Sequence, residues 1–185
     1  LGGTDIYGGV VNGVELYNQS TGAWSAAGML PATRRSFGAA LLNNGRVLLA
    51  GGFNLTGVPT TGAFLFDPAT YTWTATAPMN TSRAAFGFVL LGDGRVLAAG
   101  NGTTATSAEI YNPATATWQM TGFMQSQGPN AAYVVLNSSP AVTTVLRVGG
   151  ANSAEIYNSS TGLWTNTGVL NQPRQSFGLA KLANG

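Results

Sequence analysis

Histidine and cysteine are both absent from the chain. Their absence excludes a Ser-His-Asp or Cys-His catalytic constellation, imidazole and thiolate metal sites, and disulfides. Charge is also scarce. Only 8% of residues carry one, against about 25% in an ordinary soluble domain, and Lys181 is the one lysine. Uncharged hydroxyl and amide side chains must keep such a surface wet, which suits an extracellular, periplasmic or cell-surface location. Eight cations against six anions give a formal net charge of +2, and no basic cluster extends beyond Arg34-Arg35. No nucleic-acid partner is expected from so faint a footprint. The longest apolar runs, such as residues 88–91, fall far short of the about 20 residues needed to span a bilayer, so no membrane insertion is expected. The carboxylates are scattered and form no acid–base pair at a recognisable spacing. Gly100-Asn101-Gly102-Thr103-Thr104 lacks the lysine of a phosphate loop and opens no helix. No catalytic residue, metal ligand or cofactor is assigned, and the chain reads as a non-enzyme. Leu1 is not a start methionine, which points to a mature segment or a piece of something longer.

What is present is glycine, 26 residues of it, and a repeated phrase. Leu42-Asn43-Asn44-Gly45-Arg46-Val47-Leu48-Leu49-Ala50-Gly51 returns as Leu91-Gly92-Asp93-Gly94-Arg95-Val96-Leu97-Ala98-Ala99-Gly100. Two apolar runs around Asn-Gly or Asp-Gly are the strongest local signal for a β-hairpin. The phrase starts again at Phe177 and stops at Ala183-Asn184-Gly185. Gly2, Gly51, Gly100 and Gly149 stand 49 residues apart, and Trp24, Trp73, Trp118 and Trp164 follow at intervals of 49, 45 and 46. A fixed period near 50 indicates an array whose units cannot bury their faces alone. Within one unit the pattern predicts strand a at residues 86–91, b at 95–99, c at 107–111 and d at 117–120. Strand b is apolar at consecutive positions, as a strand covered on both faces should be, whereas d alternates and reads as the wet edge.

The double glycine, the Tyr or Phe, the Trp and a Met-x-x-x-Arg spacing together resemble kelch repeats, over all 185 residues. The Asn/Asp-Gly-Arg-Val-Leu wording resembles the bacterial extracytoplasmic kind, related to galactose-oxidase-like propellers. The resemblance implies an all-β, kelch-type β-propeller of four-stranded antiparallel blades, as a single domain over residues 1–185. Its units would span about 1–34, 35–83, 84–128 and 129–174, with the first strand of a further or closing blade at 175–185. Departures are Asn101 for the second glycine, Leu30 and Leu170 for Met, and Gly128 for Arg. Four repeats fit a four-bladed ring or an arc of a larger one, and the arc is the expectation taken. Open terminal faces would then call for further blades or self-association.

The recurring residues read as structural: Gly51 and Gly52, the four tryptophans, and Arg34, Arg83 and Arg174. Tyr17, Phe66, Tyr111 and Tyr157 are expected in the same blade packing. The arginines are expected to pair with Glu15, Glu109 and Glu155 or to clamp backbone carbonyls. In kelch relatives the b-to-c and d-to-a loops share one face that engages partners. Here that face would carry Phe53, Asn54, Leu55, Pro59, Arg35 and Met79. The function expected is a non-catalytic, extracellular or cell-surface scaffold whose loops bind a protein or glycan. The alternatives are the non-catalytic part of a secreted galactose-oxidase-like carbohydrate oxidase and a structural subunit of an envelope or filament assembly. Galactose oxidase implies a copper site with Cys and His ligands, which this chain cannot supply by itself.

Overall fold

A run such as Val96-Leu97-Ala98-Ala99 needs hydrogen-bonded neighbours on both edges and apolar cover on both faces. The computed structural model of the chain supplies both. It describes residues 1–102, 105–126, 130–149, 152–174 and 176–182. The described residues are all-β. Blade one comprises a short hairpin of Gly3–Thr4 (β1) and Val10–Val11 (β2) and a pair of Gly13–Asn18 (β3) with Ala23–Met29 (β4). Blade two is Gly38–Leu41 (β5), Val47–Ala50 (β6), Ala63–Asp67 (β7) and Thr72–Thr76 (β8). Blade three is Gly87–Leu90 (β9), Val96–Ala99 (β10), Ala108–Asn112 (β11) and Thr117–Thr121 (β12). Blade four is Ala132–Ser138 (β13), Thr143–Val148 (β14), Ala154–Asn158 (β15) and Leu163–Asn166 (β16). Blades two to four are four-stranded antiparallel meanders with strands in chain order. The predicted strands a to d of one unit correspond to β9 to β12.

The turns form for the reason their residues suggest. Gly45 and Gly94 take φ of 82° and 86°, and Asn44 and Asp93 each accept the backbone N–H of the arginine two residues on. In blade four the Ser139 hydroxyl accepts the Val142 N–H and donates to its carbonyl, replacing that chemistry.

Three apolar clusters lie one at each seam between consecutive blades. β10 is buried along its whole length, while β8, β12 and β16 are mostly wet edges. The first strands β5, β9 and β13 neighbour one another down one side of the stack. Each Tyr or Phe on a third strand pairs with the Trp opposite, at ring centroid distances of 4.9–5.2 Å in all four blades. A buried aromatic ring removes about 150–250 Å² from water, about 4–6 kcal/mol at 25 cal/mol per Å².

The double-glycine position has a steric cause. A Cβ on Gly51 would stand 2.6 Å from the Arg83 carbonyl and 3.0 Å from the Phe86 ring, and its φ is +66°. The residue before each such ring also has positive φ, yet it is not glycine: Ser36, Ala85 and Ser176 lie at 53–55°, as does the corresponding Asn130. Hydrogen bonds between blades hold two of these, Ala85 N–H to the Ser36 carbonyl and Ser176 N–H to that of Asn130.

Two expectations are corrected here. Residues 177–182 are not a strand: a first strand forms when a second strand pairs with it, and among the described residues none lies beside them. The turn expected at Asn184-Gly185 lies outside the described residues, as does Gly128. The aromatic pair of blade one is not buried: Tyr17 is 52% and Trp24 66% exposed. Its counterparts in blades three and four are buried because each lies against the blade before it.

Candidate functional site

The arginine repeat builds the floor of the site. Arg83 leaves the end of blade two and enters blade three, donating to Glu109 Oε1 at 3.0 Å and to the carbonyls of Gly100 and Ser107 at 2.9 and 2.7 Å. Glu109 also accepts the backbone N–H groups of Asn80 and Thr81, so the carboxylate ties down the loop between β8 and β9. Burial lowers the Arg83 pKa, and the Glu109 carboxylate opposes that shift. Arg34 makes the same excursion into blade two but finds Phe64 where a carboxylate would stand. It donates to the carbonyls of Gly51 and Gly62, lies 4.9 Å over the Phe64 ring, and leaves its buried Nε without a partner. Desolvation lowers its pKa as well.

The expected pairing of repeat arginines with glutamates holds for one of three glutamates. Glu155 pairs with Arg147 of its own blade at 3.5 Å, and it accepts the N–H groups of Gln125 and Ser126. Blade four opens with Gly128 where an arginine is expected, and Arg147 takes over from inside β14. Nothing in the sequence marked Arg147, because it sits between Leu146 and Val148 in an otherwise ordinary strand. Arg174 and Glu15 are both exposed, and neither belongs to an ion pair among the described residues.

Above this floor the b-to-c and d-to-a loops share one face, as the bridges Arg35↔Phe53, Thr60↔Arg83 and Arg83↔Gly102 show. The structure brings together five of the six candidate residues. Arg35 and Phe53 exchange backbone hydrogen bonds at 3.1 and 2.9 Å, and the guanidinium lies 4.9 Å over the Phe53 ring. Phe53 pairs in turn with Pro59 across a hairpin. Asn54 shapes its tip: the side-chain oxygen accepts from the N–H groups of Thr56 and Val58 and from the Thr56 hydroxyl. This leaves Leu55 67% and Val58 55% exposed at the apex. Val58 was missed in the sequence, although the signal that marked Leu55, an apolar residue where no strand requires one, applies to it equally.

Met79 does not belong to this face. It is 3% exposed and packs in the seam between blades two and three, where its methyl group stands 2.9 Å from the Cβ position of Gly51. Its recurrence as Met124, also buried, was the sign of a packing role.

Beside Phe53 runs an open groove of about 390 Å³ lined by Ala84, Ala85, Asn101, Gly102, Ala105 and Asn130. Its walls are short apolar side chains, backbone and two amides, suited to holding a chain segment by contact and hydrogen bonds. Among the described residues no group of three metal-ligating side chains occurs, and no helix is long and apolar enough to cross a membrane.

Residues 34–80 match the Kelch motif. The match begins at the clamp arginine and runs through all four strands of blade two to just beyond Met79. It covers about a quarter of the chain, and the four-stranded pattern it describes recurs in blades three and four. These are kelch-type propeller blades. No curated protein matches the chain. The kelch motif supports a protein-binding propeller scaffold as the coarse function.

Proposed function

We propose that this kelch-type chain is a non-catalytic scaffold that holds a protein segment across the face built by Arg35, the 53–59 hairpin and the groove beside Phe53. The observation that carries this reading is the posture of the hairpin. Asn54 and the Arg35–Phe53 stack fix it rigidly, yet it presents Leu55 and Val58 to water. Rigid, exposed apolar residues beside a cation and a groove match a binding surface whose ordering cost is already met in the free protein. Loops on a stable framework are where such surfaces arise. A glycan is the second ligand class, favoured by the amides of Asn101 and Asn130 at the groove. The few charges on the chain favour an extracellular or cell-surface setting for the encounter.

The test is retention of partners from source extract by the immobilised chain, comparing wild type with Leu55→Asp/Val58→Asp and with Arg35→Ala. Partners held by the wild type should be lost from the first variant and weakened about tenfold by the second. Unchanged capture by both variants overturns the assignment of this face. Release by a soluble oligosaccharide would select the glycan reading over the protein one.

A further inference from the structure

The hairpin tip at residues 54–58 has a twin. Blade one carries Asp5-Ile6-Tyr7-Gly8-Gly9 at the same place, 49 residues earlier, and folds it by the same bonds. Asp5 Oδ1 accepts the N–H groups of Tyr7 and Gly9 at 2.9 and 2.7 Å, as Asn54 Oδ1 accepts those of Thr56 and Val58 at 3.0 and 2.9 Å. The Asp5 N–H donates to the Gly9 carbonyl and the Gly8 N–H to that of Asp5. Asn54 and Gly57 repeat both bonds, to the carbonyls of Val58 and Asn54. Gly8 and Gly57 make the turn with φ of 84° and 76°. The residue after the capping side chain is apolar in both, Ile6 and Leu55.

Recurrence signalled packing for Met79 and Met124, which are buried. These tips recur and are wet: Ile6 and Tyr7 are each 90% exposed, beside Leu55 and Val58 on the second tip. The exposure belongs to the hairpin itself, because Leu55 and Val58 are open although blade two is packed on both sides. The b-to-c connections of blades three and four are shorter, so the array does not need this hairpin to close its seams. Between the two prongs runs Arg34-Arg35. The Arg34 carbonyl accepts the Gly3 N–H at the base of the first prong, and the Arg35 N–H donates to the Phe53 carbonyl at the base of the second. Arg35 Nη2 lies 4.0 Å from where a Cβ on Gly57 would stand, and the guanidinium has no acceptor among the described residues. A half-buried guanidinium with unmet donors favours a carboxylate that takes two of them.

We propose that the two prongs act together, gripping an extended protein segment that brings an apolar side chain to each and a carboxylate between them to Arg35. The inference rests on the reading of this face as a binding surface and adds blade one to it, with Ile6 and Tyr7 as contact residues. Both prongs are ordered by their own hydrogen bonds, so little further ordering is needed on the protein's side. Once one prong is engaged, the second contact forms at a high effective concentration. Apolar tips beside a cation also suit a lipid surface. The exposed Asp5 carboxylate at the base of the first prong opposes an anionic membrane, whereas a segment can place a lysine or arginine there.

The probe is a phage-displayed library of random peptides, selected on the immobilised 185-residue chain and counter-selected on the quadruple variant Ile6→Ser/Tyr7→Ser/Leu55→Ser/Val58→Ser. Selected peptides should share an acidic residue flanked by apolar ones. Ile6→Ser/Tyr7→Ser and Leu55→Ser/Val58→Ser should each weaken them about tenfold. The quadruple variant should weaken them about a hundredfold, the effects multiplying because the prongs lie on separate blades. Changing the peptide's acidic residue to its amide should weaken binding to the wild type but not to Arg35→Ala. All four tip residues are exposed, so melting temperatures should stay within about 2 °C of the wild type. Peptides that need Leu55 and Val58 but ignore Ile6→Ser/Tyr7→Ser overturn this proposal and leave the reading of the face standing. Failure to select any peptide that prefers the wild type to the quadruple variant overturns both. Binding to vesicles of phosphatidylcholine and phosphatidylserine that is lost in Ile6→Ser/Tyr7→Ser overturns the protein segment in favour of a membrane.

Discussion

The Arg83 guanidinium donates to Glu109 at 3.0 Å across the seam between blades two and three, and neither side chain reaches solvent. Removing one partner from a buried pair leaves an uncompensated charge, which costs about 3–5 kcal/mol. Arg83→Met should therefore lower stability by that amount in denaturant unfolding. Arg83→Met/Glu109→Leu should lose less than Arg83→Met alone. Arg34→Met should cost about 1–3 kcal/mol, because only carbonyls lose a donor there. Equal losses for Arg34→Met and Arg83→Met would show that the carboxylate contributes nothing.

Gly45 and Gly51 separate backbone strain from steric crowding. Both have positive φ, but a Cβ meets open space at Gly45 and the Arg83 carbonyl and Phe86 ring at Gly51. Gly45→Ala should cost about 1 kcal/mol. Gly51→Ala should cost at least twice that, with part of the loss recovered by Phe86→Leu, which removes the ring atoms nearest the new methyl group. Thermal melts of the three variants give the comparison.

Asn54→Ala removes the acceptor for two N–H groups and one hydroxyl at an exposed hairpin tip. The blades do not depend on that tip. The melting temperature should move by less than about 2 °C, while amide exchange at residues 53–59 accelerates at least tenfold. A large stability loss with unchanged exchange would contradict the hairpin's independence from the blades.

Burial raises the pKa of Tyr133 and Tyr157 above the ordinary tyrosine value. The folded state thus holds these protons more tightly than the unfolded one. The associated stability is complete below about pH 10 and is lost as pH rises through the raised values. Unfolding free energy should fall steeply above pH 10, and Tyr133→Phe and Tyr157→Phe should each flatten that fall. Tyr157→Phe also gives up its hydroxyl contact with Thr121, so its stability at neutral pH should drop by about 1 kcal/mol. A profile unchanged in both variants would place the alkaline sensitivity elsewhere.

Much of the architecture was legible because its causes are short-range. Asn44-Gly45 and Asp93-Gly94 turn the chain by their own chemistry, and the apolar run at 96–99 announces a strand buried on both faces. The face that carries Arg35, Phe53, Asn54, Leu55 and Pro59 is what the resemblance to kelch repeats implies, and within it Phe53 and Leu55 stand out as apolar residues where no strand requires them. Met79 was placed on that face because it lies in a loop by sequence, although its side chain fills a seam. Ala85 gave no warning of its positive φ, since alanine carries no mark of that conformation and only neighbouring blades hold it there. Arg147 was invisible for a similar reason: its need arises from Glu155, which the strand pairing brings opposite it.

Periodicity and turn residues act over a few positions along the chain, so the number of repeats and their four-stranded design follow from residue order, while the shared loop face is what the resemblance to kelch repeats implies. Whether a given side chain is dry depends on what stands before it in space. Tyr17 and Tyr111 sit in nearly the same phrase and pair with tryptophan in the same geometry, yet one is wet and the other sealed. The difference lies outside the phrase: Thr76 and the rest of blade two lie against Tyr111, whereas among the described residues no blade lies against Tyr17.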